Sequence, residues 1–261
     1  MISSLGGIAA AIILSAAFCW VAYRLKFLSR GGAWAATALG ILILGLCGWA
    51  WVFPLLAFFI SSSLLSQVRK VRTSAVDEAR GSQRDAVQVL ANGGVAGLLV
   101  LIGAIWGFDL FAAYTGSWAA ANADTWSTEI GLMFGRRPRS IATGKPVVPG
   151  TSGGVSAAGL LGALAGAIFI AWISNLACHS ELNRAALWII MLAGIGGSLF
   201  DSLLGATLQA RYQCRACAKE TERTLHCEQP TRIIAGWKWI SNDMVNLLCT
   251  AFGALFTILT I

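Results

Sequence analysis

Long apolar stretches alternate with short polar connections along almost the whole chain. A helix needs about 20 apolar residues to cross a bilayer, and stretches near that length occur at 5–23, 33–50, 53–66, 86–106, 108–133, 155–177, 185–208 and 243–261. The stretch 33–66 is too long for one span. Pro54 is predicted to divide it into two helices, of which the second is short. The pattern predicts an all-α integral membrane protein with about eight transmembrane helices in a single polytopic domain, residues 1–261.

The basic residues support this division. With the N-terminus outside, eight spans place every Lys and Arg except Arg184 in the inside connections, as the positive-inside rule requires. Fusing 33–66 into one helix would invert every later connection. We therefore predict a multi-pass protein of the inner cell membrane. Both termini lie outside, and the connections 67–85, 134–154 and 209–242 face the cytoplasm.

The composition agrees with a membrane protein and limits the kinds of partner that we expect. The chain is 57% hydrophobic and only 12% charged, whereas soluble domains carry about a quarter charged residues. Its 29 glycines suit closely packed membrane helices. The net charge of +7 is distributed between apolar runs rather than along one face. We expect membrane lipids and phosphorylated substrates as partners, and no nucleic acid.

Ionisable groups inside apolar spans are costly and mark functional sites by default. Here they lie in the predicted inner half of the bilayer, with several amides: Asp124, Glu129, Asp201, Asp243, Asn92, Asn122 and Asn246. Such oxygens suit Mg²⁺. We expect Asp124, Glu129 and Asp201 to be catalytic metal ligands, and Asn92, Asp243 and Asn246 to contact the substrate. The alternative is structural: Asp243 caps its helix and Asp201 bonds a neighbouring backbone group.

The connection before the sixth span combines glycines, hydroxyls and two cations. Free N–H groups at a helix N-terminus bind anions. We therefore expect contacts to substrate phosphate from this connection: Arg139, Lys145, Thr151, Ser152, Gly153 and Gly154. The alternative is an ordinary N-cap behind a flexible loop.

A further candidate for phosphate binding is Arg84, in the stretch that runs from Arg80 to the fourth span. Arginine binds a phosphate with two parallel hydrogen bonds. The same position would equally suit an anchor that binds lipid headgroups. Both interpretations place Arg84 at the inner membrane surface.

Four metal-ligating side chains cluster in the cytoplasmic connection 209–242: Cys214, Cys217, His226 and Cys227. A Cys-x-x-Cys pair followed by His and Cys is typical of a small tetrahedral Zn²⁺ site. A cytoplasmic location disfavours a lasting disulfide. The sequence therefore predicts a zinc knuckle with a structural role. Adjacent His226 and Cys227 are unusual ligands for one metal, so a chance cluster stays open.

Six motifs resemble, in order, those of the transmembrane-protein-nineteen family, which includes plant and cyanobacterial phytyl-phosphate kinases. They are QVLANGG at 88–94, ADTWSTEIG at 123–131, PRSIATGK at 138–145, GTSGGVS at 150–156, GSLFDSLLGATLQ at 197–209 and NDMVN at 242–246. The resemblance implies a kinase that moves a phosphoryl group from a nucleoside triphosphate, such as CTP, onto an isoprenoid monophosphate.

The site chemistry and the resemblance agree on a phosphotransferase. Phosphoryl transfer needs metal, positioning and charge stabilisation rather than covalent chemistry from the protein. We predict a membrane-embedded prenyl phosphate kinase that converts an isoprenoid monophosphate such as phytyl phosphate to the diphosphate, with Mg²⁺ as cofactor. The alternatives are an ion-coupled membrane transporter and a membrane scaffold. Polar groups confined to one leaflet disfavour the transporter, because carriers place their sites near the midplane.

Overall fold

Eight helices form the membrane part of the protein. A computed structural model describes residues 5–72, 83–178 and 182–261. Within them the helices are α1 (Leu5–Arg24), α2 (Arg30–Cys47), α3 (Trp49–Arg72), α4 (Ala86–Trp106), α5 (Phe111–Phe134), α6 (Ala157–Ala177), α7 (Arg184–Thr207) and α8 (Asn242–Thr260). The predicted eight-helix membrane architecture is confirmed. Arg80, expected inside, and the neighbourhood of residue 180, expected outside, fall outside the described residues.

The break between α2 and α3 falls earlier than predicted. Gly48 adopts a positive φ of 81° and ends α2, a conformation that glycine reaches without a Cβ clash. Pro54 lies inside α3 and does not break it. Its missing N–H removes one hydrogen bond close to the start of the helix, which a long helix tolerates. The third helix is therefore 24 residues long instead of the short 53–66 segment.

The fifth helix forms the centre of the bundle. Every residue from Ala113 to Ala123 is buried, and α5 contacts α3, α4, α6, α7 and α8. The other seven helices are long and apolar enough to cross a membrane by length and composition, and α5 is the exception. Because five helices surround α5, its polar side chains face protein instead of lipid.

Glycine allows the helices to approach α5 closely. A Cβ at Gly197 of α7 would lie 2.6 Å from the Ala120 Cβ, and one at Gly162 of α6 would lie 2.7 Å from the Trp126 carbonyl oxygen. The small-residue groove predicted on α7 thus receives α5. Large apolar side chains such as Leu98, Leu161 and Leu255 are exposed on the outer surface, as expected where lipid surrounds a bundle.

Short strands form in two of the connections predicted to be loops. β1 (Arg139–Ser140) pairs antiparallel with β2 (Gly154–Val155), and we call residues 138–155 the hairpin. Between α7 and α8 lie β3 (Arg211–Gln213), β4 (Glu220–Thr221), β5 (Leu225–His226), β6 (Gln229–Pro230) and β7 (Arg232–Ala235). They form a three-stranded sheet, β4-β3-β7, and a β5-β6 pair. We call residues 211–235 the ribbon.

Candidate functional site

A polar cavity of about 440 Å³ opens at one end of the bundle, the end that carries the hairpin and the ribbon. The last turns of α3 and α5, the first turns of α4 and α8, and the α1–α2 connection line it. Five residues predicted for the site meet there although the sequence separates them widely: Arg84, Asn92, Asp124, Glu129 and Asn246. The cavity is therefore the candidate site.

The acidic side of the cavity belongs to α5. Asp124, Thr125, Thr128 and Glu129 all line it. Asp124 and Thr128 are four residues apart and share a helix face, and so do Thr125 and Glu129. Amides from α4 and α8 lie beside them, and the Asn92 Nδ2 donates to the Gln88 carbonyl oxygen at 2.9 Å. This side offers carboxylate, amide and hydroxyl oxygens to a ligand.

Among the described residues, four cations line the same cavity: Lys26, Arg69, Lys70 and Arg84. Arg84 is held in position, because its Nη2 donates to the Ser62 Oγ at 2.8 Å and its guanidinium lies 5.0 Å from the Phe58 ring centroid. Burial lowers the pKa of Arg84 to about 10, and the charge of Glu129 opposes that shift. Arg84 therefore stays protonated at neutral pH and is available to an anion.

The loop that carries Arg84 is tied to the α1–α2 connection. The Arg84 N–H donates to the Phe27 carbonyl at 2.9 Å, and the Ser29 N–H donates to the Arg84 carbonyl at 3.0 Å. Asp85 then caps α4 in a reciprocal capping box with Gln88. These bonds hold Arg84 and Lys26 on neighbouring segments of one rim.

Glu129 is engaged by protein groups on both carboxylate oxygens. The Arg69 Nε donates to its Oε2 in an ion pair, and the Ser66 Oγ donates to its Oε1 at 2.5 Å. The sequence predicted Glu129 as a metal ligand and did not foresee this partner. In the structure the carboxylate orients Arg69 along the cavity wall.

Asp201 and Asp243, both predicted for the site, are not among the cavity-lining residues of the described chain. Asp201 lies one turn beyond Gly197, the residue of α7 that approaches Ala120 of α5. Asp243 is in the first turn of α8, but the cap is Ser241, whose Oγ accepts from the Met244 N–H at 3.3 Å.

The predicted phosphate loop lies apart from the cavity. Arg139 and Lys145 are exposed on the hairpin, and the Arg139 Nη1 donates to the Gly144 carbonyl at 2.9 Å. Ser156 caps α6 by accepting from the Gly159 N–H. Of the described residues that line the cavity, none belongs to the segment predicted to bind phosphate through its backbone: Thr151, Ser152, Gly153 and Gly154.

This segment packs instead on the end of α7 and on the ribbon. Gly153 has a φ of 75°, and a Cβ there would lie 2.5 Å from the Ser202 carbonyl oxygen. The Ser152 Oγ donates to the Glu222 Oε1 at 2.6 Å, and the Gln209 Nε2 donates to the same oxygen at 2.8 Å. The glycines therefore allow close backbone packing.

The four ligand-type residues of the ribbon meet in space. The sulfur atoms of Cys214, Cys217 and Cys227 and a ring nitrogen of His226 all lie within 4.8 Å of one another. The backbone N–H of Cys217 points at the Cys214 sulfur and lowers the pKa of that thiol to about 6. The structure thus brings together the cluster that the sequence predicted.

Sequence reasoning missed the contribution of α3 to the cavity. Ser63, Ser66, Gln67 and Lys70 line it and recur every three or four residues, which is the signature of a polar stripe on one helix face. The signal was present in the sequence. It was lost because the predicted third span ended at residue 66.

The chain matches the sequence profile of a family described as integral membrane protein DUF92 over residues 13–254. It belongs to this family. Protein PGR of Arabidopsis thaliana is 35% identical to it, over 93% of each chain. An uncharacterised membrane protein of Methanocaldococcus jannaschii is 32% identical over 71% of this chain and 76% of its own.

Another relative is Protein VTE6, chloroplastic, of Arabidopsis thaliana, at 27% identity over 89% of this chain and 65% of its own. No solved structure matches the chain significantly. The DUF92 match spans both the cavity and the ribbon. It confirms the family resemblance that the ordered motifs predicted.

Proposed function

We propose that this DUF92 protein is a membrane-embedded kinase that transfers a phosphoryl group from a nucleoside triphosphate, such as CTP, to an isoprenoid monophosphate, such as phytyl phosphate. One observation carries the proposal: among the described residues, two carboxylates of α5 and four cations line one cavity at an end of the bundle. The family resemblance of the motifs supports the same activity. A cavity at one end of the bundle also suits a water-soluble donor and a lipid acceptor.

The oxygen donors of the cavity fit Mg²⁺. Asp124 offers a carboxylate, Asn92 and Asn246 offer amides, and Thr125 and Thr128 offer hydroxyls, a hard set that this cation prefers. Bound there, Mg²⁺ would neutralise charge on the donor phosphates. Asp201, one turn beyond the approach of Gly197 to Ala120 of α5, remains a proposed metal ligand.

The cavity cations would neutralise the remaining negative charge of the phosphates beside Mg²⁺. An oxygen of the acceptor monophosphate attacks the terminal phosphorus of the donor, the bond to the bridging oxygen breaks, and a nucleoside diphosphate leaves. Arg84, Lys26, Arg69 and Lys70 would stabilise the negative charge that accumulates on the phosphates. The acceptor oxygen is already ionised, so no general base is needed. Glu129 would act by holding Arg69.

The acceptor chain would leave the cavity on the side of the α1–α2 connection. Leu25 and Phe27 are apolar residues among the cavity-lining set. Phe27 packs edge-on against Phe59 of α3 at a centroid distance of 6.3 Å. An isoprenoid tail that passes these side chains reaches lipid between α1 and α3, while its phosphate stays beside Lys26 and Arg84.

The decisive experiment is a transfer assay on detergent-purified protein. Each of the four nucleoside triphosphates is paired with phytyl, geranylgeranyl and farnesyl monophosphate in saturating Mg²⁺. We expect a prenyl diphosphate as product, and none when Mg²⁺ is chelated. Absence of transfer with every pair, together with cation-dependent uptake of solutes by vesicles that contain the protein, would establish the transporter instead.

The proposed reaction requires the cavity to face the compartment that supplies nucleotides. We therefore propose that both termini lie outside an inner cell membrane and that the hairpin and the ribbon are cytoplasmic. Alkaline phosphatase fused after Ile261 should be active, and the same enzyme fused at Lys145 should be inactive. The opposite pattern would place the cavity outside and contradict the kinase.

A further inference from the structure

The cluster in the ribbon has the dimensions of a tetrahedral metal site. Zinc bonds of about 2.3 Å to sulfur and about 2.0–2.1 Å to nitrogen place neighbouring ligand atoms roughly 3.5–3.8 Å apart. The His226 Nδ1 lies 3.6 Å from the Cys217 sulfur and 3.1 Å from the Cys227 sulfur. All four ligand atoms lie within 4.8 Å of one another. Small adjustments would accommodate one ion at these bond lengths to all four ligand atoms.

The backbone explains how adjacent His226 and Cys227 reach the same point. In a strand, successive side chains point to opposite faces. Cys227 and Glu228 form the two-residue turn between β5 and β6, and both have positive φ, 50° and 59°. This is the conformation of a type I′ hairpin turn, here adopted without glycine. The turn carries the Cys227 sulfur back toward the His226 ring.

A third left-handed residue completes the other half of the cluster. Ala218 has a φ of 58°, and its N–H donates to the Cys214 carbonyl at 3.0 Å. The turn brings Cys214 and Cys217 together on one side. Three non-glycine residues in strained conformations around four ligand side chains require a compensating interaction. Metal bonds supply one.

We propose that Cys214, Cys217, His226 and Cys227 bind one structural Zn²⁺, and that this ion holds the ribbon so that Glu222 fastens the hairpin to the end of α7. Four protein ligands close the coordination shell, which distinguishes a structural from a catalytic zinc site. The strands of the ribbon are only two to four residues long. Small units of this kind need a stabilising cross-link such as a bound metal, because they bury little apolar surface.

The connection to the rest of the protein runs through one side chain. Glu222 directly follows β4 and lies between the Cys214–Cys217 turn and the β5–β6 pair. It accepts from Ser152 of the hairpin and from Gln209 at the end of α7. The metal would fix both segments that flank Glu222. Its loss should therefore release the hairpin as well as the ribbon.

Metal analysis of the purified full chain tests the ion. We expect about one equivalent of zinc after exhaustive dialysis, and less than a tenth of that in Cys217→Ser. Cys178→Ser, which changes a cysteine at the end of α6 far from the cluster, is the matched control and should keep the metal. Wild-type protein without zinc, with these thiols readily alkylated or joined in a disulfide, would overturn the site. Native mass spectrometry of wild type with and without chelator gives the same answer if Cys217→Ser does not fold.

Hydrogen exchange tests the link to the hairpin. Zinc removal should raise deuterium uptake severalfold in a peptide that covers residues 148–155, and leave a peptide from α2 unchanged. Glu222→Gln should retain zinc but weaken the bonds to Ser152 and Gln209, so that uptake rises in the same hairpin peptide. Unchanged hairpin exchange after complete zinc loss would overturn the role assigned to Glu222.

Discussion

The cavity and the ribbon lie at the same end of the protein but are assembled in different ways. The cavity takes its lining residues from four helices and two connections, between Leu25 and Asn246. The ribbon takes its four ligand side chains from residues 214–227 alone. The cavity offers hard oxygen atoms and cations, whereas the ribbon offers sulfur and imidazole nitrogen. Their chemistry suits different ions.

Of the two regions, only the cavity depends on how the helices pack. The ribbon cluster can form wherever its short strands pair, because its ligands are close in sequence. The cavity exists only where α3, α4, α5 and α8 pack at one depth and register. Substitutions in one region should therefore affect the other weakly, which the following variants test.

The largest effect is expected from Asp124→Asn. The change keeps size and hydrogen bonding but removes the charge proposed to hold Mg²⁺, so turnover at saturating Mg²⁺ should fall at least about 100-fold, or about 2.7 kcal/mol. Folding should survive, since a desolvation cost disappears with the charge. Asp109→Asn makes the same chemical change in the loop before α5 and should retain activity. Equal turnover in both variants would remove Asp124 from the site.

Packing around α5 should matter almost as much. Gly197→Ala places a methyl group against Ala120 at 2.6 Å, and such overpacking costs about 2 kcal/mol. Gly94→Ala meets nothing within 4 Å and should be neutral or stabilising by helix propensity. Thermal unfolding in detergent measures the pair. Unchanged thermal stability of Gly197→Ala would mean that α5 and α7 are not in close contact. The proposed dependence of the cavity on helix packing would then be wrong.

Substrate affinity should distinguish the cavity cations from the hairpin cations. Arg84→Gln removes a half-buried cation that lines the cavity, and KM for the phosphorylated acceptor should rise about tenfold, or about 1.4 kcal/mol. Lys145→Ala, which changes an exposed residue of the hairpin, should raise KM only about two- to threefold. Initial rates over a range of acceptor concentrations give both values. The reverse order would favour the sequence-based phosphate loop over the cavity.

The smallest effect on activity is expected from the ribbon. Cys217→Ser should remove zinc yet reduce turnover only about threefold, since coupling through packed contacts costs about 0.5–2 kcal/mol. Turnover is measured at saturating substrate and Mg²⁺, with Cys178→Ser as the control. A loss as large as that of Asp124→Asn would mean that the ribbon is part of the active site.

The sequence was sufficient for features that depend on local pattern. Apolar length and basic residues gave eight helices, and the spacing of Cys214, Cys217, His226 and Cys227 gave the ribbon cluster. Polar groups within the spans pointed to Asp124 and Asn92. Each of these signals is carried by residues close together in the chain, or by a charge rule that applies to each connection separately.

The fold of the chain determined which of the candidate residues share a site. It placed Lys145 on an exposed hairpin and paired Glu129 with Arg69. It also brought Lys26 and Arg84 to the same rim of the cavity. A motif indicates that its glycines or cations matter, but not whether they contact a ligand or a neighbouring helix. Ligand binding and helix packing need the same residue types. That choice depends on the depth and rotation of each helix, which long-range packing sets.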